Sequence, residues 1–235
     1  MQKKIEILMV VCLFASAFFL ARTGAAIVSS RSTSSEKPCI VLDAGHGGAD
    51  PGKVGENDVL EKDLNLTIVY KLKTLFENKG FKVVLTRTDD KALVSEDSKN
   101  VKVEDLRNRV ALIEKNKPIM TISIHQNSFP DASVSGPQVF FFKQSAEGEK
   151  IAAIVQQALN EQLDPPKKRV SKSNDDYYIL KKTSSPTVIV ECGFLSNPTE
   201  TALLNNEAYR DLIVRAIYLG ICDYLELGEE ANLEE

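Results

Sequence analysis

Histidine is scarce in this chain: His46 and His125 are the only two among 235 residues. Any chemistry that needs imidazole must therefore use one or both of them. Cysteine is sparse as well. Cys12 falls in an apolar N-terminal run, which leaves Cys39, Cys192 and Cys222. Three cysteines in apolar segments exclude a disulfide framework and read as small buried hydrophobes. A cysteine nucleophile would want a histidine partner, and both histidines have another use below. There is no excess of positive charge either. Lys and Arg number 29 against 33 Asp and Glu, and beyond residue 26 the body carries a net −6. Such a body has no electrostatic footprint for gripping a phosphate backbone, which excludes nucleic acid as a partner. With 43% hydrophobic and 26% charged residues, the composition fits neither a disordered tail nor a membrane bundle. No internal repeat occurs, and no Gly-x-Ser-x-Gly elbow offers a serine nucleophile.

What is present begins with an address. Lys3 and Lys4 precede an apolar run from Ile5 to Leu20, and small residues follow at Gly24, Ala25 and Ala26. That order is the pattern of a secretory signal. The run is shorter than the roughly 20 residues of a transmembrane span and contains Glu6, so residues 1–26 read as a signal peptide or, alternatively, a retained membrane anchor. Residues 27–36 form a Ser-rich linker. The expected domain covers 37–227, and 228–235 is an acidic tail.

Within the domain, strands and helices alternate. Apolar runs at 39–43, 81–86, 119–125, 139–142 and 187–191 predict strands, and continuous rather than alternating runs predict strands covered on both faces. Helical spacing over 59–79 (Leu60, Leu64, Ile68, Leu72, Leu75, Phe76), 104–116, 147–162 and 206–226 predicts helices between and after them. The expected fold class is α/β: a layered single domain with a largely parallel, mixed central sheet flanked by helices.

Three of these strands finish in polar groups: His46, His125 and Glu191. In open α/β sheets, ligands settle outside the carboxyl ends of the strands. Both histidines of the chain at such ends, with Gly45, Gly47 and Gly48 clearing space around the first, point to a metal. Neutral imidazole suits zinc, and a catalytic zinc takes three protein ligands and leaves one position open. A third ligand from the following loop or helix has five candidates: Asp50, Glu56, Asp58, Glu61 and Asp63. Glu61 borders the apolar stripe of its helix, but Asp58 three residues earlier makes a capping box an equally good account of it. Glu191 ends an apolar strand, so it must be paired, bound to metal or functional. Beside an activated water it could serve as general base and then general acid. Arg87 is the candidate for a structural ion pair with it. Paired-carboxylate glycosidase chemistry would leave both histidines without a role.

At this point the residues resemble a known family. Val41-Leu42-Asp43-Ala44-Gly45-His46-Gly47-Gly48, Glu61 opening a helix, Ser123-Ile124-His125-Gln126-Asn127, and Val190-Glu191-Cys192-Gly193-Phe194-Leu195-Ser196-Asn197 occur in order. Together they resemble the zinc-dependent N-acetylmuramoyl-L-alanine amidases over roughly residues 38–226. The resemblance implies zinc bound by His46, Glu61 and His125, with Glu191 as catalytic acid/base. It implies cleavage of the amide between N-acetylmuramic acid and L-alanine in peptidoglycan. Asn127 and Arg87 are candidates for substrate contact or for bracing the site. Gln126 stands where many members carry a small residue, and an effect on the substrate groove is expected there. The layout, an export segment and one amidase domain without wall-binding repeats, is similar to the CwlD group of sporulation amidases. That likeness implies an extracytoplasmic role in spore cortex synthesis, in which stem peptides are removed to prepare muramic-δ-lactam. It also implies a muramic acid deacetylase acting next and leaves room for a partner protein that stabilises the zinc. Two rivals share these motifs: a non-catalytic wall-binding scaffold, and a zinc peptidase or deacetylase with the same ligands.

Overall fold

The computed structural model describes residues 37–95 and 97–227. The expectations for 1–26, 27–36 and 228–235 lie outside the described residues. The apolar run after Pro38 becomes β1 (Cys39–Ala44), every residue of which is buried. The helix after the glycine-rich loop is α1 (Glu61–Asn78), followed by β2 (Lys82–Leu85) and α2 (Val101–Asn116). Next come β3 (Met120–Asn127), β4 (Gln138–Phe141) and α3 (Ala146–Leu163). The chain ends with β5 (Lys172–Ser173), α4 (Tyr178–Lys182), β6 (Thr187–Phe194), α5 (Pro198–Asn205) and α6 (Glu207–Tyr224).

The six strands form one sheet in the order β2-β1-β3-β6-β4-β5. All neighbouring pairs are parallel except β4 with β6, which is antiparallel. The central strands read as continuous apolar runs because both faces are covered. Ile40, Leu42, Ala44, Ile122, Ile124, Val188 and Val190 pack on one face with Leu64, Ile68 and Leu72 of α1, Val155 of α3 and Ile217 of α6. Val41 and Ile189 pack on the other with Ile113 of α2 and Ile179 and Leu180 of α4. Burial of such side chains contributes on the order of 1.5–3 kcal/mol each. Among the described residues no helix is long and apolar enough to cross a membrane.

The structure departs from expectation in its short elements. The residues preceding α1 form a 3-10 turn, Glu56–Asp58, with Asn57 and Asp58 at positive φ. Helix α2 starts three residues before the expected 104, because the Asn100 side chain accepts from the Val103 N–H and caps it there. α5 has an N-terminal signature that the apolar periodicity hides. Asn197 caps it by accepting from Glu200 N at 3.0 Å, and Pro198 occupies its first position.

One polar constellation lies inside the second face. Asp43, 1% exposed, accepts from Thr86 Oγ1 at 2.7 Å, Arg109 Nη1 at 2.8 Å and Ser123 Oγ at 2.5 Å. Burial pushes the Asp43 carboxyl up. The charge of Arg109, helped by His125 and the two hydroxyls, outweighs burial and holds it at about 2, below the usual 3.8. A depressed carboxylate contributes stability that is present above its unfolded pKa and lost as pH falls through the folded value. Asp43 should therefore contribute roughly 2 kcal/mol that disappears between about pH 4 and pH 2. Urea unfolding of metal-free wild type and Asp43→Asn at pH 5 and pH 2 checks this. The variant should be less stable at pH 5, where Arg109 is left under-compensated, and should lose less on acidification. Equal acid losses in the two proteins would contradict the assignment.

Candidate metal centre

The site forms at the carboxyl edge of the sheet, where β1 and β3 deliver His46 and His125 and the first residue of α1 delivers Glu61. His46 has a φ of 62°, a left-handed conformation that an L-residue adopts only when its surroundings hold it there. Those surroundings are two buried arginines. Arg109 donates from Nη1 to Ala44 O at 2.6 Å and from Nη2 to His46 O at 2.6 Å. Arg87 donates from Nε to Ala44 O at 2.9 Å and from Nη2 to Gly45 O at 3.2 Å and Lys62 O at 2.7 Å. Three consecutive carbonyls, 44 to 46, thus point inward at two guanidinium groups, and the His46 ring is thrown outward over the edge. Two glycines make room for the side chains that gather here. A Cβ at Gly45 would lie 2.2 Å from the His125 ring, and one at Gly52 would lie 2.5 Å from Glu61 Oε2.

Glu61 is the hub of the site. Its Oε1 lies 3.1 Å from His46 Nε2 and 3.0 Å from His125 Nδ1. The Gln126 N–H donates to the same oxygen at 3.0 Å, Asn65 Nδ2 lies 3.4 Å from it, and the Lys53 N–H donates to Oε2 at 2.8 Å. This geometry corrects the capping-box account, since Leu60 is the N-cap of α1 and no side chain caps it. The carboxylate faces the histidines instead. Of the other carboxylates considered as ligands, Asp50 lies behind His46, its Oδ2 3.0 Å from Nδ1. That contact orients the ring and leaves Nε2 for the site. Glu56 and Asp58 are exposed on the 3-10 turn, and Asp63 is exposed on α1.

One donor atom from each of His46, Glu61 and His125 lies within 4.8 Å of the others. Two imidazoles and a carboxylate so placed form a set that fits a divalent metal ion. Burial lowers the tendency of His125 to carry a proton, but the hydrogen bond and charge of Glu61, with Glu191 and Asp43 behind, raise its pKa to about 8. Glu61 is pushed up by burial and held well below the usual carboxylate range by the two histidines.

Glu191 stands outside this set. It pairs in register with His125 across β3 and β6, is 6% exposed, and its Oε2 has no hydrogen-bond partner among the described residues. Burial, with the negative Glu61 nearby, lifts its carboxyl to about 7 against the pull of His125 and His46. Arg87 does not pair with it, as its guanidinium is spent on carbonyls, including Asp89 O at 3.0 Å. Asn127 is half-buried. Its Oδ1 accepts from Ser128 N, and its carbonyl accepts from Leu195 N at 2.9 Å, tying the ends of β3 and β6 together. Gln126 turns its side chain away from His125. Its side chain is buried on the opposite face, with Nε2 donating to Asn65 Oδ1 at 3.1 Å. Sequence reasoning missed Asn65, whose spacing of four from Glu61 puts it on the same helix face. It also missed Arg109, whose role depends on a contact across the sheet.

A model of the Amidase_3 family, N-acetylmuramoyl-L-alanine amidase, matches residues 40–223, most of the chain and all the residues just described. The chain belongs to this amidase family. Its activity is hydrolysis of the bond between N-acetylmuramic acid and L-alanine, and as a cell wall amidase it works outside the cytoplasm. The amidase is 37% identical over 188 residues to the germination-specific N-acetylmuramoyl-L-alanine amidase of Bacillus subtilis, covering 79% of this chain and 78% of that one. Among solved structures it is similar to the CwlD amidase from Clostridioides difficile in complex with the GerS lipoprotein. That match has a TM-score of 0.78 and 39% identity, covering 81% of this chain and 100% of that one. The catalytic domain of CwlV from Bacillus (Paenibacillus) polymyxa matches with a TM-score of 0.72 and 27% identity, covering 81% and 99%.

A ligand histidine must be neutral to bind, so metal binding to the raised His125 displaces a proton. Below about pH 8 the apparent affinity for a divalent ion should fall by about tenfold per pH unit for each proton displaced. Calorimetric titration of the metal-free amidase in buffers of different ionisation enthalpy should show about one proton released near pH 7. Affinity independent of pH between 6 and 8 would contradict this picture of the site.

Proposed function

We propose that the amidase is a zinc enzyme in which His46, Glu61 and His125 hold the metal and Glu191 is the general acid and base. The observation that carries this reading is the buried, unpartnered Oε2 of Glu191, in register with His125 at the edge that also carries His46 and Glu61. A carboxyl so buried and unpaired has a reason to be there only if it exchanges protons with something that enters the site. Bound zinc supplies Lewis acidity toward the scissile carbonyl and makes water acidic enough to attack near neutral pH. Glu191 takes the proton of the attacking water and delivers it to the alanine nitrogen as the C–N bond breaks. Asp50 keeps the His46 ring in register, and the Gln126 and Lys53 N–H groups keep Glu61 ionised and aimed. Arg87 and Asn127 brace the edge.

We infer a role in removing stem peptides during spore cortex synthesis, ahead of a deacetylase, supported by the likeness to the germination-specific relative. We also infer a lipoprotein partner that stabilises the loaded site, supported by the complex in which the similar CwlD was solved. Residues 37–227 constitute the catalytic domain in this reading, delivered by an export segment and tether over 1–36. Spore cortex from a deletion strain should lack muramic-δ-lactam, and unchanged lactam would restrict the enzyme to another wall substrate.

Two isosteric substitutions separate binding from proton transfer. Glu191→Gln should fold, keep its zinc and lose roughly 10²–10⁴-fold in turnover. Glu61→Gln should lose zinc as well as rate. Release of free L-alanine amines from purified peptidoglycan at matched zinc gives the rate, and elemental analysis gives the occupancy. A fully loaded Glu191→Gln enzyme near wild-type rate would remove Glu191 from the mechanism, and a zinc-depleted one would make it a ligand.

A further inference from the structure

The register between β3 and β6 breaks immediately after Glu191. His125 pairs with Glu191, but Asn127 pairs with Phe194, so Cys192 and Gly193 together stand opposite Gln126 alone. This is a β-bulge, uncommon between parallel strands, and a bulge re-aims side chains at the expense of ladder hydrogen bonds. Cys192 packs in the larger core, and a Cβ at Gly193 would lie 3.3 Å from Leu204 Cδ1 of that same core. Two consecutive positions thus face away from Glu191. The first side chain past Glu191 on its own face of β6 is Phe194, level with Asn127 and one position later than an unbroken strand would place it. The bulge removes from β6 the side chain that regular alternation would set next to Glu191.

A break in a buried ladder frees backbone donors, and each must be met. The Phe194 N–H is met by a side chain: it donates to Glu200 Oε2 at 2.8 Å. The other oxygen of that carboxylate, Oε1, accepts from the Gly136 N–H at 2.9 Å, just before β4. Glu200 is the third residue of α5 and is 7% exposed. With Asn197 as N-cap, the spacing is that of a capping box, in which the carboxylate would turn back to the Asn197 N–H. That N–H donates instead to Phe194 O at 3.0 Å, and the carboxylate reaches past it to the bulge. Burial pushes the Glu200 carboxyl up, against the two N–H bonds and the charge of Arg169. What offsets the desolvation is what the carboxylate holds, the far end of β6 and the entry to β4.

We propose that Glu200 is a positioning residue for the amidase reaction: by fixing the bulge it sets the direction in which Glu191 meets the substrate. Both oxygens of the Glu200 carboxylate are engaged with backbone N–H groups, so its influence passes through the backbone of β6. The proposal rests on the reading of Glu191 as the acid–base group and adds what aims that carboxyl.

The test is a double-mutant cycle in the full-length amidase at matched zinc, read by release of L-alanine amines from soluble peptidoglycan fragments. Glu200→Gln keeps the size of the side chain but sets an amide NH2 against one of the two N–H donors. It should lower kcat by roughly 10²-fold, the effect of a small misplacement of a reacting group, with KM and zinc occupancy within about twofold of wild type. In the Glu191→Gln background the same substitution should cost nothing further, because the group it positions is gone. Amide NMR of labelled protein should show the Cys192 and Gly193 signals moving in Glu200→Gln. Gly193→Ala, whose Cβ would press on Leu204 and the Glu200 carboxyl, disturbs the bulge independently and should also lower kcat while keeping zinc. Should Glu200→Gln fail to fold, Gly193→Ala takes its place in the cycle. A Glu200 that only supports the fold predicts that its loss multiplies with that of Glu191→Gln or appears as lost zinc, and either result overturns the proposal. Wild-type kcat in both Glu200→Gln and Gly193→Ala overturns it as well. A Glu191→Gln enzyme near wild-type rate overturns the acid–base reading itself, and the Cys192 and Gly193 amides then report separately whether Glu200 holds the bulge.

Discussion

The buried pairing of Arg109 with Asp43 is the interaction on which the rest of this site depends. Arg109 is 2% exposed and donates to Asp43, Asp105, Ala44 O and His46 O, so one side chain joins α2, β1 and the loop after β1. A guanidinium taken out of water is expensive unless every donor is met. Here two carboxylates and two carbonyls meet it, and the carbonyls are those that set the direction of His46. The strained φ of that residue is stabilised by the same hydrogen bonds that neutralise the charge. Loss of the cation would release the carbonyls and let His46 relax toward ordinary backbone, and the metal site would open without any ligand having changed.

Glu61 plays the corresponding part for the electrostatics. Burial alone would favour its neutral form, but two histidines and two backbone N–H groups converge on it. A permanently ionised carboxylate then stands between two rings, raising the proton affinity of His125 and, a little further off, that of Glu191. One charge thus sets the electrostatics of both the histidine cluster and the carboxyl beside it. The two carboxyls differ in charge state because they differ in partners: Glu61 is met by several donors, and Glu191 has an oxygen with none among the described residues.

Much of this was legible in the sequence. The runs at 39–43 and 187–191 are buried central strands because nothing polar interrupts them until the catalytic edge. The histidines stand near the ends of such runs, but Glu191 does not end its strand as expected: β6 continues through Cys192 and Gly193 to Phe194, all buried. What escaped notice lacks local periodicity. β5 has two residues and α4 five, too short for a pattern. Glu61 had two readings of equal merit because a capping box and a ligand share the same spacing, and only the direction of its side chain separates them. An effect of Gln126 on the substrate groove is expected because many members of the family carry a small residue there, but strand alternation turns its side chain to the other face, toward Asn65. Arg87 looked like a partner for Glu191 from sequence order, whereas in three dimensions its donors reach carbonyls of the His46 loop.

That same alternation explains how one edge supports both rigidity and chemistry. Asp43 and Ser123 form one cross-strand row and His125 and Glu191 the next, on the sheet face packed by α2 and α4. Gln126 and Cys192 belong to the opposite row, under α1 and the larger core. Each reactive group therefore has, as its immediate chain neighbour, a residue sealed into packing on the other side. Burial pushes the Cys192 thiol far up, so it stays protonated and inert directly behind Glu191. A carboxyl on a central strand of this kind cannot swing to meet a hydrogen-bond donor elsewhere, so its unpaired oxygen persists. The parallel sheet thus holds Glu191 with an oxygen that meets no donor among the described residues, and that enforced lack of a partner, together with burial, is what keeps its carboxyl easier to protonate than an ordinary one.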